Sequence, residues 1–309
     1  MARRKVLITG GAGFIGSHLA ERLASDGEVV VVLDNFKWST REPNCSRIIR
    51  GDVLDRELVD DLVSAADEVI HTAAQINVDY ANQHPQETID INIQGTMNLL
   101  AACRKHGKPM IFASSSEVYG SAQSPAIAED HALDAQGVYA ATKVAGDRLC
   151  KAYVDAYGMD VRILRSFNTF GPHQRRDSYG GVIAIFTDRA LRGLPPIIFG
   201  DGEQERDYLW IEDAIQGYVV MRRAGRPGEP VNFGTGKSVS VNYIAQAIRE
   251  LVGGPEAQHA DNRAGEVRRL RADISRAKRL GFSPSMSFEK GLEKYVSWCK
   301  TQMERQPIR

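Results

Sequence analysis

The sequence predicts an α/β fold, a doubly wound parallel sheet, and three observations carry that prediction. Short apolar runs recur through the first half of the 309-residue chain, each followed by a stretch at helical spacing. The first run opens into a glycine turn in which Gly10, Gly13 and Gly16 stand three residues apart. The second run ends in Asp34, eighteen residues past Gly16.

Residues 6–8 read as the first buried strand. Gly10 and Gly13 then let the backbone turn tightly and approach a pyrophosphate, while Gly16 allows helix and strand to pack closely. Leu19, Ala20 and Leu23 give residues 17–25 a helical pattern. The free N–H groups at the start of that helix, around Phe14 and Ile15, face phosphate charge. Residues 29–33 form the second strand, and Asp34, with Asn35 beside it, stands where a carboxylate grips an adenosine ribose. Residues 35–47 are polar and irregular. Residues 48–53 form a third strand ending in Asp52 and Val53, where Asp52 holds an adenine amino group, caps the helix over 56–64, or does both.

Residues 67–75 make a fourth strand whose small Ala73 and Ala74 let a cofactor lie against its end, with His71 as a satisfied core histidine. Residues 85–106 are expected to form one long helix with Ile89, Ile93, Met97, Leu100 and Ala101 at core spacing. The fifth strand covers 109–114, a helix 139–157, and the sixth strand 160–167, ending in Phe167. Ligands of such a sheet sit beyond the carboxyl ends of its strands. From Asn168 the pattern changes to a loop rich in Gly, Pro and Arg. Helices are predicted over 182–192, 241–252 and 288–303, a strand near 197–202, strand then helix over 208–218, and a strand over 231–234. This region has no glycine phosphate turn of its own and is expected to hold substrate.

Lys plus Arg and Asp plus Glu both number 39, so no basic excess points to nucleic acid or to an anionic membrane. Four scattered cysteines lack metal spacing and read as reduced thiols of a cytoplasmic protein. The basic start, Arg3-Arg4-Lys5, imitates a signal peptide, but the apolar run behind it is too short, and no run suits a membrane span.

Tyr139 and Lys143 stand at i and i+4, on one helical face. The ammonium favours the phenolate, and bringing a phenol from about 10 to neutral pH needs a second positive charge, such as an oxidised nicotinamide ring. Such a phenolate removes a hydroxyl proton while hydride leaves the adjacent carbon. Ser114, Ser115 and Ser116 follow the fifth strand, where a hydroxyl can share a hydrogen bond with Tyr139 and a substrate oxygen. Taken singly, a Tyr/Lys pair is an ordinary surface feature and a serine run an ordinary turn.

T-G-G-A-G-F-I-G, Asp34, G-D-V at 51–53, S-S-S-E-V-Y-G, Y-x-x-x-K and R-S-F-N-T-F-G-P at 165–172 together resemble the NAD-dependent sugar epimerase/dehydratase group of the extended short-chain dehydrogenases. Residues 200–208 and 271–277 look like that group's nucleotide-sugar contacts, so the resemblance covers nearly the whole chain. It implies NAD and a nucleoside-diphosphate sugar, most often a UDP-sugar. Asp34 would repel the 2′-phosphate of NADP. By position, Ser115 takes the catalytic hydroxyl, Tyr139 the base, and Lys143 the residue that lowers its pKa and holds the nicotinamide ribose. Ser116 adjoins the sugar, and Asn168, Arg206 and Arg268 would face it and its diphosphate, to which Arg forks are suited. The helices over 85–106 and 139–157 resemble the pair that builds a homodimer interface. Residues 1–167, with 207–235 returning, are expected to bind NAD; residues 168–206 and 236–309 are expected to bind the nucleotide sugar.

Members of this group share oxidation at sugar C4 and differ afterwards. A 4-epimerase returns the hydride to the other face, a 4,6-dehydratase expels the C6 hydroxyl, and a uronate decarboxylase loses the C6 carboxylate. Glu117 matches the base of dehydratases and a glutamate of decarboxylases; its other reading is a structural carboxylate bonded to nearby backbone. Ser116 stands where many dehydratases carry an aspartic acid, although the GDP-mannose type resembles Ser-Glu here. In G-P-H-Q-R at 171–175, Arg175 resembles an arginine of uronate 4-epimerases that could pair with a sugar carboxylate, whereas His173 departs from the group's pattern. The expectation is a UDP-sugar 4-epimerase acting on UDP-glucuronate/UDP-galacturonate or UDP-glucose/UDP-galactose. The alternatives are a decarboxylase, a dehydratase or a non-catalytic NAD(H) sensor.

Overall fold

The computed structural model describes residues 3–39, 41–177, 180–261 and 267–305; Met1 and Ala2 of the signal-like start lie outside them. The first half runs β1 (Lys5–Thr9), α1 (Phe14–Ser25), β2 (Val29–Asp34), β3 (Arg47–Arg50), α2 (Arg56–Ser64), β4 (Glu68–His71), α3 (Val78–Gln83), α4 (Pro85–Ile89), α5 (Gly95–His106), β5 (Met110–Ser115), α6 (Val138–Tyr157) and β6 (Val161–Ser166). It continues through β7 (Asn168–Phe170), α7 (Val182–Leu191), β8 (Ile197–Phe199), β9 (Glu205–Arg206), β10 (Tyr208–Trp210), α8 (Ile211–Ala224) and β11 (Pro230–Phe233). Last come β12 (Val239–Ser240), α9 (Val241–Val252), β13 (Gln258–Ala260), β14 (Arg269–Leu270), α10 (Ser275–Arg279) and α11 (Phe288–Arg305).

Seven parallel strands form the main sheet in the order β11-β6-β5-β4-β1-β2-β3. Alternate residues of each strand face opposite sides. Ile8, Val32 and Ile70 therefore pack with Leu19 and Leu23 of α1 and Ala214 of α8, while Leu7, Leu33 and Val69 pack with Val59 of α2 and Leu99 of α5. The chain leaves β1 for β2 on one side and returns to β4 on the other, so the strand order reverses between β1 and β4 and a crevice opens at their carboxyl ends. The remaining strands make three small sheets, β10-β7, β12-β9-β14 and β13-β8.

The helix expected over 85–106 is continuous but differs from its predicted packing. A π-helical turn at Asp90–Gln94 joins α4 to α5. Of the five residues assigned to the core, Leu100 is buried, whereas Ile89, Met97 and Ala101 are exposed. The inward face is Thr88, Asn92, Thr96, Leu99 and Cys103, whose polar members are hydrogen-bonded: Thr88 donates to the His84 carbonyl and Thr96 to that of Asn92. The apolar stripe thus marks the outer face. The capping reading of Asp52 is also corrected. Asp55 immediately precedes α2 and accepts from the Leu58 amide at 3.0 Å, while Asp52 accepts from the Leu54 amide and the Asn35 side chain. A cap must directly adjoin the first turn, and Asp52 stands one turn too early.

Candidate active site

A cleft of about 1060 Å³ follows the carboxyl edge of the sheet. At one end lies the glycine turn. Gly10 has φ +70°, and a Cβ there would sit 2.6 Å from the Ala73 backbone; one on Gly16 would sit 2.2 Å from the Gly10 carbonyl oxygen. The turn can therefore close only without side chains at these positions. Helix α1 starts at Gly13 with no side-chain cap and no acidic residue in its first turn, which leaves its N–H groups and positive dipole end for an anion. Asp34, Asn35, Asp52, Val53, Ala73 and Ala74 line the same end. The Asp34 carboxylate also shapes it, accepting from the Ala12 amide at 3.0 Å and from the Phe36 amide at 2.8 Å. This set fits a dinucleotide: a side-chain-free cradle for phosphate with a carboxylate at ribose distance along the chain.

In the middle of the cleft, α6 presents Tyr139 and Lys143 one turn apart on its buried face, against Ser115 at the end of β5. The Ser115 hydroxyl accepts from the Glu117 amide at 3.2 Å, closing the short turn over Ser116–Tyr119, and it also bonds the Tyr139 phenol. Lys143 Nζ donates to the Ala113 carbonyl at 2.9 Å and lies 6.0 Å from the centre of the Tyr139 ring. The expected lowering of the phenol by Lys143 is not achieved by the chain alone. Burial pushes Tyr139 up to about 12, against a smaller opposing effect of Ser115, and pushes Lys143 down to about 8. Removing water penalises both charged forms. A second cation must reach the phenol before it can act as a base near neutral pH.

Asn92, missed in the sequence, fixes this centre. On the π turn, its side chain accepts from the Gln75 amide at 2.7 Å and donates to the Gln75 carbonyl and the Thr142 hydroxyl, both at 2.9 Å. It thus ties the loop after β4 to the residue preceding Lys143. The signal lay in a polar residue on the wrong side of an apolar stripe. His71 is buried between the hydroxyls of Thr9 and Thr96, at 2.7 and 3.0 Å, and burial lowers it to about 3. It is a neutral structural group.

Beyond the centre, Ser116, Glu117, Phe167, Asn168, Arg175 and Arg206 line the cleft. Asn168 Nδ2 is buried with no hydrogen-bond partner among the described residues. Arg206 donates to the Glu205 carbonyl at 3.0 Å and acts electrostatically on Glu117. Burial raises the Glu117 carboxyl above the usual carboxylate range, and Arg206 draws it part of the way back. Arg175 forks onto Asp177 and donates to the Trp38 carbonyl at 3.0 Å. Arg268 does not join the cleft: it makes two 2.7 Å bonds to Asp201 on the surface.

Residues 6–234 match the NAD dependent epimerase/dehydratase family. A UDP-glucose 4-epimerase of Mycolicibacterium smegmatis is 34% identical across 97% of this chain and 100% of its own length. A UDP-N-acetyl-alpha-D-glucosaminuronate decarboxylase of Bacillus cytotoxicus is also 34% identical, across 96% of this chain and 98% of its own. The solved structure of MoeE5 in complex with UDP-glucuronic acid and NAD superposes with a TM-score of 0.87 at 34% identity, covering 96% of this chain and 99% of that one. A glycine cradle, a Ser/Tyr/Lys centre and full-length similarity agree, and the chain belongs to the NAD-dependent epimerase/dehydratase family of enzymes acting on nucleotide sugars.

Proposed function

We propose that this chain is a UDP-sugar 4-epimerase that works through a transient 4-keto sugar. The observation that carries the reading is the meeting of Ser115, Tyr139 and Lys143 in one cleft, between the glycine cradle and Asn168 with Arg206. NAD, when bound, supplies a hydride acceptor and, in its oxidised form, a positively charged ring. Tyr139 takes the proton of the sugar C4 hydroxyl and later returns it. Ser115, bonded to that phenol, holds the same oxygen and passes the proton between them. Lys143 supplies positive charge under the phenol. Arg206 holds the diphosphate, and Asn168 Nδ2, buried without a partner among the described residues, donates to the nucleotide sugar. Residues 1–167 and 207–235 serve the cofactor; residues 168–206 and 236–309 serve the sugar nucleotide.

Glucose-type and glucuronate-type substrates both stay within this proposal. A carboxylate clamp at Arg175 would require it to leave Asp177 and Trp38, so the present arrangement does not favour a uronate. A second reading, loss of carbon dioxide or of the C6 hydroxyl, is favoured by Glu117. Its half-buried carboxyl faces the cleft with no hydrogen bond among the described residues, which supports a chemical role over a structural one. Against elimination, the adjoining Ser116 supplies no second acid. Incubation with UDP-glucose, UDP-glucuronate and their N-acetyl analogues, read by NMR, tests the proposal. A C4-inverted sugar supports it; a pentose with carbon dioxide, or a 4-keto-6-deoxy sugar, replaces it with the second reading. No turnover of any sugar leaves an NAD(H)-holding protein.

The proposal includes a cytoplasmic homodimer. Ile89 and Met97, 39% and 37% exposed, present an apolar outer face beside α6, and all four cysteines are unpaired, as suits a reducing compartment.

A further inference from the structure

The loop after β2, read in the sequence as merely polar and irregular, reaches across the mouth of the cleft and is fastened there. Its course is set at Phe36, whose φ of +59° is left-handed and whose amide is held by Asp34. The Arg50 guanidinium lies 4.4 Å over the Phe36 ring and pins the bend from β3. The bend turns Lys37 and Trp38 away from the sheet edge and towards α3 and α4. There the Trp38 ring meets Tyr80 edge to face at 4.8 Å. Lys37 Nζ lies 5.3 Å over Trp38 and 5.9 Å over Tyr80, and it pairs with one oxygen of Glu87 while the Tyr80 hydroxyl donates to the other at 2.7 Å. From a third side, Arg175 holds the Trp38 carbonyl. Trp38 therefore joins three segments, through its ring to α3 and through its carbonyl to Arg175, and each segment lines the cleft through Trp38, Val78 or Arg175.

We propose that Trp38 is a cleft-wall residue clasped across the cofactor site by Lys37, Tyr80, Glu87 and Arg175, and that this clasp sets how slowly the dinucleotide leaves. A reaction that removes a hydride and returns it to the same sugar is complete only if the cofactor stays through both transfers. The clasp is built from side chains of separate segments rather than from sheet bonds. The Lys37 and Glu87 side chains are 45% and 33% exposed, so it can open, and salt weakens it. Trp38 faces the dinucleotide; Lys37, Tyr80, Glu87 and Arg175 are positioning residues that act through Trp38. The inference rests on NAD occupying this cleft, and not on which sugar is converted.

The test loads the purified full-length holoenzyme with radiolabelled NAD and follows loss of label into excess unlabelled NAD, at low and high sodium chloride. Trp38→Ala should release label about tenfold faster and Glu87→Gln about fivefold faster, as expected for one partly exposed pair. Salt should speed release from the wild type and have little effect on Glu87→Gln. Thermal unfolding of each variant checks that it folds, and Trp38→Phe serves if Trp38→Ala does not. Unchanged release in Glu87→Gln and in the folded Trp38 variant would overturn the clasp. Failure of the wild type to retain any label would overturn the assignment of NAD to the cleft, and the clasp with it.

Discussion

Replacing Lys143 by Met should separate its charge from its packing. Left to the chain, Tyr139 stands near 12, too high to act as a base at pH 7.5. Lys143 stands near 8, so below that pH its charge is present. At the 6.0 Å between Nζ and the Tyr139 ring, with an effective dielectric of about 20, one charge stabilises the phenolate by roughly 3 kcal/mol, or about two pKa units. The value of about 12 is reached with Lys143 in place, so the four to five units still needed must come from the oxidised cofactor, and loss of the Lys143 charge raises the phenol by roughly two more. Lys143→Met should therefore lower kcat/KM about 100-fold at pH 7 and move the acid limb of the pH profile up by about two units. The assay is epimerase turnover across pH 6–10 with cofactor content measured in parallel. A uniform loss at every pH, with the limb unmoved, would refute the electrostatic argument and leave Lys143 as a group that only holds the cofactor.

His71 is buried neutral with its folded pKa near 3 against 6.5 unfolded, so the unfolded chain binds the extra proton between those values. Stability should be full above pH 6.5 and fall by about 2 kcal/mol by pH 5, and His71→Gln should flatten that part of a denaturation profile. Arg175→Ala should slow turnover of UDP-glucose and UDP-glucuronate to similar extents, because the guanidinium serves Trp38 and Asp177; steady-state kinetics showing a loss confined to the uronate would instead support a carboxylate clamp. Ile89→Glu with Met97→Glu should give a monomer by light scattering, since both residues lie on the exposed stripe, and an unchanged mass would move the interface elsewhere.

The sheet and its cofactor end were legible because they depend on local patterns. Apolar runs buried on both faces, a turn that excludes side chains and a carboxylate at the next strand end are all fixed within about thirty residues of chain. Tyr139, Lys143 and Ser115 were legible for a similar reason: a helical repeat places two of them, and a strand end places the third. What escaped depends on partners distant in sequence. The stripe of Ile89, Met97 and Ala101 has the spacing of a core face, but spacing says only that residues share a face, and here the core took the hydrogen-bonded side. Asn92 looked like a polar interruption because its partners, Gln75 and Thr142, lie 17 and 50 residues away.

The arginines make the same point about charge. Arg206, Arg268 and Arg175 are equivalent in sequence, each a fork suited to phosphate or carboxylate. Folding gives them three environments. Arg268 spends both arms on Asp201 in solvent, Arg175 is neutralised by Asp177 while it holds Trp38, and Arg206 remains on the cleft with one backbone bond beside a half-buried carboxyl. Coulomb attraction to a diphosphate is strongest for the cation with the least competing anion around it, so Arg206 is the one that a ligand can recruit. Recruiting it would also withdraw the charge that holds Glu117 down. That carboxyl should then move further towards its neutral form when nucleotide sugar binds, which couples the proposed diphosphate seat to the acid on which the second proposed reading rests.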